Sequence, residues 1–190
     1  MNPLIEFDQS LSLALNGAHA AWLDPVMLFF SRVYVWLPLY LATLALLFFR
    51  LPWRKALIGS LMLIAAFAFT DIFTHWLKEH VFLRLRPCED PSLAGLVRLL
   101  ESHGSRYGFP SGHAANTFGF ALASAWLLKR KWWTIPIFCW AAIVSYSRIY
   151  VGKHYLGDVL GGAAFGLLVG GLAILLMHFL FKGIDKRCAA

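Results

Sequence analysis

The sequence predicts an all-α fold: a polytopic membrane helix bundle of about five transmembrane helices, with an N-terminal interfacial helix and short outer-face helices. Three observations predict it. The chain is 59% hydrophobic and 14% charged, with a mean hydropathy of +0.65, whereas about half of an ordinary soluble domain is apolar. Its apolar residues gather in runs that match a bilayer core in length. Its basic residues gather between those runs, as they do at the cytoplasmic ends of membrane helices.

Residues 1–23 are predicted to lie on the membrane surface rather than across it. Apolar residues such as Leu4 and Phe7 alternate with Glu6 and Asp8, which makes the segment too polar for a span. It also lacks the basic start of a secretory signal. An amphipathic helix at the interface fits this pattern, and a frayed terminus is the alternative.

Five apolar runs follow, and a membrane span needs roughly 20 such residues. Four runs reach or approach that length, and the third becomes long enough if residues 109–113 form its mouth. The predicted spans are residues 25–49, 56–77, 114–128, 135–150 and 159–181. The last span begins with closely spaced glycines, which let helices approach one another. We interpret them as packing residues.

The basic residues orient these spans. Three groups, at residues 50–55, 129–131 and 182–187, fall on one side and predict the cytoplasmic face. The N-terminus, the loop of residues 78–110 and the loop of residues 151–157 then lie on the outer face. The outer segments also carry cations, which we expect to meet an anion there: Lys78, Arg84, Arg86, Arg98, Arg106 and Lys153.

Other classes of function fit the sequence poorly. The net charge is +7, but the cations flank membrane spans and no soluble domain exists to hold nucleic acid. Cys88, Cys139 and Cys188 fall in the outer loop, a span and the inner tail. We therefore expect neither a disulfide nor a zinc site among them.

The segment between the last two runs concentrates ionisable side chains, and we expect the chemistry there. It contains Arg148, His154 and Asp158. If the segment is helical, His154 and Asp158 share one face, and the carboxylate holds one imidazole nitrogen while the other is free to attack. Arg148 adds planar donors suited to phosphate oxygens.

A second polar segment, Pro110-Ser111-Gly112-His113, opens the third run. Ser111 and Gly112 would offer unpaired backbone N–H groups at a helix start, an arrangement that binds anions. His113 would lie beside such an anion, which favours a functional role over a structural one. Asp71, near the end of the second span, is interpreted as a structural buried carboxylate that faces the bundle interior.

Three blocks of this chain, taken in order, resemble the type 2 phosphatidic acid phosphatase (PAP2) family of integral membrane lipid phosphatases. Lys78 with Arg86-Pro87 is similar to the family's first block, and residues 110–113 match its second in full. Ser147-Arg148, followed by His154 and Asp158, matches the third in full. The blocks cover about residues 78–162, and residues 1–190 would form a single PAP2-like domain.

The resemblance implies a role for each residue. His154 would be the nucleophile that forms a phosphohistidine, with Asp158 orienting its ring. His113 would protonate the leaving oxygen and then activate water. The nonbridging oxygens would be held by the remaining residues of the blocks: Lys78, Arg86, Ser111, Gly112 and Arg148. Fixed cations and a histidine pair need no metal or other cofactor, so none is expected.

The spacing of the first block departs from the family. Seven residues separate Lys78 from Arg86, one more than in the family's pattern. On a continuous helix the extra residue rotates Lys78 by about 100° relative to Arg86. Either the helix ends or bulges before Arg86, or Lys78 reaches the site from another angle.

The resemblance implies hydrolysis of a lipid phosphate or diphosphate on the periplasmic face of a bacterial inner membrane. Undecaprenyl diphosphate is favoured, because nothing indicates a dedicated sugar-binding domain. Lipid A, phosphatidylglycerol phosphate and phosphoryl transfer to another lipid are alternatives. A small transporter or scaffold is the non-enzymatic alternative, and it predicts that residues 111–113 lie apart from residues 148–158. The lipid substrate and the bilayer are the expected partners, and the sequence indicates no oligomeric state.

Overall fold

The computed structural model describes residues 3–189, with side chains for residues 3–186, and every regular element in this part of the chain is helical. The predicted all-α membrane bundle is confirmed. Its α-helices are α1 (Pro3–Gly17), α2 (Asp24–Ser31), α3 (Leu37–Arg50), α4 (Trp53–Leu77), α5 (Gly112–Leu128), α6 (Lys131–Tyr150) and α7 (Leu156–Ala189). Short 3-10 turns lie at Val33–Trp36, Pro87–Glu89 and Pro91–Leu93, and a π-turn spans Lys78–Phe82.

Helices α3 to α7 correspond to the five predicted spans. Within the described residues, three segments are long and apolar enough to cross a membrane: Val33–Arg50, Trp53–Phe82 and Leu156–Lys186. Helix α5 packs against α3, α4, α6 and α7, and many of its side chains are buried. A helix enclosed by other helices does not need an apolar surface for lipid, which explains why α5 is short and rich in small residues.

The predicted first span, residues 25–49, is wrong in its first part. Helix α2 ends at Ser31, and a 3-10 turn separates it from α3, which begins at Leu37. Pro38 lies in the first turn of α3, where its missing N–H is tolerated. In one continuous helix, its ring would clash with the carbonyl of the preceding turn. The break leaves Ser31 at the end of α2.

Helices α5 and α7 are in direct backbone contact. A Cβ added to Gly166 would overlap the carbonyl oxygen of Ala115, and one added to Gly119 would lie 2.9 Å from the carbonyl oxygen of Gly166. The interpretation of these glycines as packing residues is confirmed. Close packing also joins the starts of the two helices, where the Ser111 amide donates to the Asp158 carbonyl at 2.9 Å.

The two ends of the bundle differ in construction. At the predicted cytoplasmic end, Lys55 of α4 pairs with Asp185 of α7 at 2.7 Å. The opposite end carries α1, α2 and the long loop after α4, whose expected short helices are the two 3-10 turns at Pro87–Glu89 and Pro91–Leu93. Here Arg98, one of the unexplained outer cations, forms an ion pair with Asp24. Arg98 is therefore occupied by a protein carboxylate rather than left for a substrate.

The N-terminal segment forms a helix that is bonded to the bundle. The side-chain amide of Asn16 on α1 makes two hydrogen bonds to the bundle. Its Nδ2 donates to the backbone carbonyl of Tyr150 at 2.8 Å, and its Oδ1 accepts from the backbone N–H of Arg98 at 2.8 Å. Leu4 and Phe7 are exposed on its other side. The helical prediction is confirmed over residues 3–17, and the frayed-terminus alternative is wrong there.

Candidate active site

A cavity of about 410 Å³ lies at the end of the bundle that carries α1 and the long loop. It is lined by residues of the 3-10 turn after α2, of α3 to α6, and of the loops around them: Val33, Trp36, Tyr40, Phe67, Asp71, Lys78, Arg86, Gly112, His113, Asn116, Thr117, Val144, Arg148 and His154. The cavity brings together residues of all three sequence blocks. His113 and His154 share it, which contradicts the transporter or scaffold alternative.

His154 and Asp158 form a buried pair. Nδ1 of His154 lies 3.3 Å from Oδ2 of Asp158, and the side chains are 2% and 0% exposed. The contact does not arise on one helix face as predicted, because His154 lies in the loop before α7 and Asp158 in its first turn. With Nδ1 held by the carboxylate, Nε2 is the nitrogen left for the cavity.

The surroundings of His154 keep its imidazole neutral. Burial lowers the pKa of His154 well below its ordinary value, and the nearby cations lower that pKa further. These cations are Arg86, Arg148, Lys78 and Lys153. A neutral imidazole whose Nδ1–H donates to Asp158 carries its lone pair on Nε2, which is the form that a nucleophile requires.

His113 is held by the end of α2. Its Nε2 lies 3.1 Å from the carbonyl oxygen of Ser31, an acceptor that places the proton on Nε2. Thr117, one turn later on α5, donates to the carbonyl of His113 at 2.8 Å. The second histidine of the cavity is thus held in a fixed orientation.

Arg148 does not face the cavity alone. Its Nη1 pairs with Glu101 at 3.2 Å and also donates to the hydroxyl and carbonyl of Ser31. Its buried Nε finds no acceptor among the described residues. A phosphate that binds Arg148 must therefore share the guanidinium with Glu101 or displace it.

Lys78 and Arg86 enter the cavity from the same loop. The π-turn at Lys78–Phe82 absorbs the extra residue of the first block, since a π-turn is one residue wider than an α-turn. Of the alternatives that the spacing left open, the structure shows the bulge before Arg86. Arg86 is positioned by Nε donating to the Tyr107 carbonyl at 3.1 Å and Nη2 donating to Ser105 Oγ at 2.8 Å.

At the start of α5, one of the two backbone N–H groups that were expected to bind an anion is already occupied. The amide of Ser111 is already bonded to the Asp158 carbonyl, so it is not available to an anion. The Ser111 hydroxyl is buried and has no partner among the described residues. Gly112 is the first residue of α5, where an amide has no acceptor within the helix. A Cβ on Gly112 would lie 3.5 Å from Lys78 Nζ, which shows how close this amide is to the ammonium group.

Several side chains of the site were not assigned to it from the sequence. Asn116 follows His113 by three residues, and this helical spacing was its only signal. Ser31 lies far from the blocks in sequence, Glu101 lies in the loop between the first two blocks, and neither carries a local motif. Asp71, expected to be buried, is exposed on the cavity wall and accepts from Asn116 at 3.4 Å. The expectation of a buried structural carboxylate was wrong, because the cavity supplies the solvent-accessible space.

An apolar groove of about 500 Å³ adjoins the cavity. It lies between α3 and α4, and its walls are almost entirely hydrocarbon. It shares Val33, Tyr40 and Phe67 with the cavity. A ligand with an anionic head and an apolar chain could occupy both spaces at once.

The model of the PAP2 superfamily matches residues 59–182, well over half of the chain. The chain belongs to the PAP2 superfamily. All three sequence blocks, and every predicted site residue, fall inside the matched region.

This PAP2 chain is similar to proteins of known activity along most of its length. It is 35% identical over 187 residues to the lipid A 4'-phosphatase of Bacteroides thetaiotaomicron, covering 97% of this chain and 81% of that protein. It is 32% identical over 173 residues to an undecaprenyl-diphosphatase of Sulfolobus acidocaldarius, covering 90% and 78%.

The PAP2 fold is also matched by a solved structure. This is a transmembrane PAP2-type phosphatidylglycerolphosphate phosphatase from Bacillus subtilis, with a TM-score of 0.73 and 28% identity, covering 98% of this chain and 88% of that one. The protein is a PAP2 lipid phosphatase, and its substrate is a membrane lipid.

Proposed function

We propose that this PAP2 lipid phosphatase removes a phosphate from a glycolipid of the lipid A type, at the periplasmic face of a bacterial inner membrane. The observation that carries the proposal is the junction of a cationic, two-histidine cavity with an apolar groove. Such a junction holds the phosphate in the cavity while a hydrocarbon chain lies between α3 and α4. The 35% identity to a lipid A 4'-phosphatase favours this lipid over others.

In the first step, Nε2 of His154 attacks phosphorus and the bond to the lipid oxygen breaks. Asp158 accepts from Nδ1–H and stabilises the imidazolium that forms. His113, protonated on both ring nitrogens in the substrate complex, turns its Nε2–H from the Ser31 carbonyl to the departing oxygen and becomes neutral as it gives up that proton, so the lipid leaves as a neutral alcohol. In the second step His113 takes a proton from water, which attacks the phosphohistidine and regenerates His154.

The developing charge on the phosphoryl oxygens is offset by the cations of the cavity. Lys78, Arg86 and Arg148 provide fixed positive charge, and the Gly112 amide provides a neutral donor. Ser111, whose buried hydroxyl has no partner among the described residues, precedes Gly112 but is not on the cavity wall. Preorganised donors of this kind stabilise a phosphoryl transition state without a metal ion.

A second candidate substrate is undecaprenyl diphosphate, the lipid that the sequence favoured. The similarity to an undecaprenyl-diphosphatase supports it, and one continuous apolar groove suits a single long prenyl chain. The same residues would then cleave the bond between the two phosphates.

Phosphate release from purified protein in detergent with EDTA tests the proposal. Lipid A, undecaprenyl diphosphate and phosphatidylglycerol phosphate are compared at equal concentration, and the highest kcat/KM is expected for lipid A. His154→Ala should abolish release from all three, and activity persisting in that variant would contradict the mechanism. Radiolabelled phosphate should appear in water, whereas label in a second lipid would indicate phosphoryl transfer.

The proposed orientation has its own test. We expect a green fluorescent protein fused after α7 to fluoresce and alkaline phosphatase fused there to be inactive, because the lysines around α7's end are retained in the cytoplasm. Active alkaline phosphatase at that position would reverse the assignment of faces.

A further inference from the structure

We propose that Asp8 on α1 and Arg84, an unassigned residue between Lys78 and Arg86 of the first block, are positioning residues that hold Asp158 and the first turn of α7 in place for catalysis. The inference rests on the roles of His154 and Asp158 in the proposed function. It assigns to α1 a part in the active site in addition to any contact with the membrane.

Arg84 binds two carboxylates at once. Its Nη1 donates to Asp158 Oδ1 at 3.0 Å, and its Nη2 donates to Asp8 Oδ2 at 2.6 Å. Its guanidinium also lies over the ring of Tyr155, 4.3 Å from the centroid. Planar donors, two acceptors and a stacked ring leave this side chain little freedom.

Asp158 is consequently held at both oxygens. Oδ1 accepts from Arg84, and Oδ2 accepts from the Tyr155 amide at 3.1 Å and faces Nδ1 of His154 at 3.3 Å. A carboxylate fixed in this way cannot rotate away from the imidazole. Because Asp158 has 0% exposure, the positive charge of Arg84 also offsets the cost of keeping an anion buried.

Helix α1 caps α7 from outside. The amides of Leu156 and Gly157, in the first turn of α7, donate to Ser12 Oγ and Asp8 Oδ1, each at 2.8 Å. Amides in a first turn have no partner within their own helix, and side-chain acceptors stabilise them. Here the acceptors come from a helix far away in sequence. Helix α1 therefore fixes the position of the first turn of α7, and with it the position of Asp158.

Gly157 makes this junction possible. A Cβ at this position would lie 2.6 Å from Asp8 Oδ2 and 3.1 Å from Arg84 Nη1. Only a residue without a side chain lets the carboxylate and the guanidinium meet above the start of α7.

Arg84 is absent from the cavity wall, so it acts through Asp158 rather than on the phosphate. We therefore expect its loss to lower kcat and to leave KM nearly unchanged. Arg84→Met should reduce kcat about 10- to 100-fold, the range seen for residues that contact and orient a functional group without contacting the substrate. Arg84→Lys should recover part of the lost kcat because it keeps the positive charge. The recovery should be incomplete because the two donors of the planar guanidinium are replaced by one ammonium group.

A double-mutant cycle separates this role from a general loss of stability. In an Asp158→Asn background, Arg84→Met should lower kcat less than about threefold. The residual phosphate release of this background is measured by long incubation with radiolabelled substrate. Arg98→Met is the matched control, since Arg98 forms an arginine–aspartate pair with Asp24 at the same end of the molecule and does not line the cavity. Its kcat should stay within about twofold of wild type.

An equal loss from Arg84→Met in both backgrounds, or a raised KM at unchanged kcat, would overturn the inference. If Arg84→Met fails to give monodisperse protein, Asp8→Asn decides instead. This variant keeps an acceptor for the Gly157 amide but removes the charge that faces Arg84. We expect it to lower kcat in the wild-type background and to have no effect on kcat in the Asp158→Asn background. An active His154→Ala variant would overturn the proposed function. If His154→Ala is inactive while Arg84→Met and Asp8→Asn keep wild-type kcat, only this inference is overturned.

Discussion

At the level of single residues, the proposed mechanism requires His154 to be neutral before it can attack phosphorus. Burial, together with four surrounding cations of which Arg86 has the largest effect, lowers the pKa of this imidazole well below its ordinary value. A base whose pKa is lowered stays neutral to a lower pH. The neutral form of His154, which the proposed mechanism uses as the nucleophile, is therefore favoured at neutral pH.

We predict that the acid limb of kcat/KM, which reports the free enzyme, falls below pH 6.5, the ordinary pKa of histidine. Arg86→Gln removes the strongest of the four cations, so the limb should move toward neutral pH. The second ionisation of the substrate phosphate, near pH 6, is titrated separately and corrected for. A wild-type limb at or above pH 6.5 would contradict a neutral, buried nucleophile.

Glu101 is the acidic side chain that competes for Arg148. Glu101→Gln removes the competing charge, so we predict a KM about 3- to 10-fold lower with kcat within about twofold, the pattern of a change in substrate binding alone. Steady-state kinetics in detergent measure both constants. Glu89→Gln is the control, because Glu89 pairs with His103 and does not line the cavity. A higher KM for Glu101→Gln would show that the carboxylate assists binding.

At the level of elements, the site depends on how closely α5 and α7 approach. The glycines along this contact allow the backbones to touch, and the same contact joins Ser111 to Asp158. The proposed catalytic residues of the second and third blocks are thus aligned by packing deeper in the bundle. Weakening the helix contact should affect both stability and activity.

Gly166→Ala tests this, since the added methyl would overlap the Ala115 carbonyl. We predict a destabilisation of about 1–3 kcal/mol, seen as a lower Tm in detergent together with a reduced kcat. Gly171→Ala, on the same helix, has nothing within 4 Å of the new methyl. It should be neutral or slightly stabilising, because alanine is the better helix former. Equal Tm values for the two variants would argue against close packing at Gly166.

The π-turn after α4 is a second element on which the site depends. It widens the helix by one residue at Lys78–Phe82, so that Lys78 and Arg86 reach one cavity despite the longer spacing. The sequence indicated either an irregularity before Arg86 or a different angle of approach for Lys78, because a continuous helix rotates Lys78 relative to Arg86. It did not show which irregularity, since an early helix end and a bulge satisfy the same spacing.

At the level of the whole molecule, the sequence predicted what depends on periodicity and short motifs. Apolar runs located α4 to α7, and the three blocks identified the cations and histidines of the cavity wall together with Gly112, whereas the predicted Ser111 and Asp158 lie behind that wall. The break in the first span was missed because hydropathy is insensitive to a 3-10 turn within an apolar run. Ser31, Glu101 and Asp8 were missed for a different reason: each reaches the site across a large sequence separation, through contacts that only the folded bundle creates.

The apolar groove connects the site to the membrane, and its role can be tested by filling it. Ala68 on α4 lines the groove, and Ala68→Trp would exclude part of a lipid chain. Losing the burial of two methylene groups costs about 1.6 kcal/mol, or about tenfold in affinity. We therefore predict a KM about tenfold higher for a long-chain substrate and nearly unchanged for a short-chain, water-soluble analogue. Ala142→Trp, at an exposed position of α6 away from the groove, should alter neither value. An equal effect of Ala68→Trp on both substrates would show that the chain lies elsewhere.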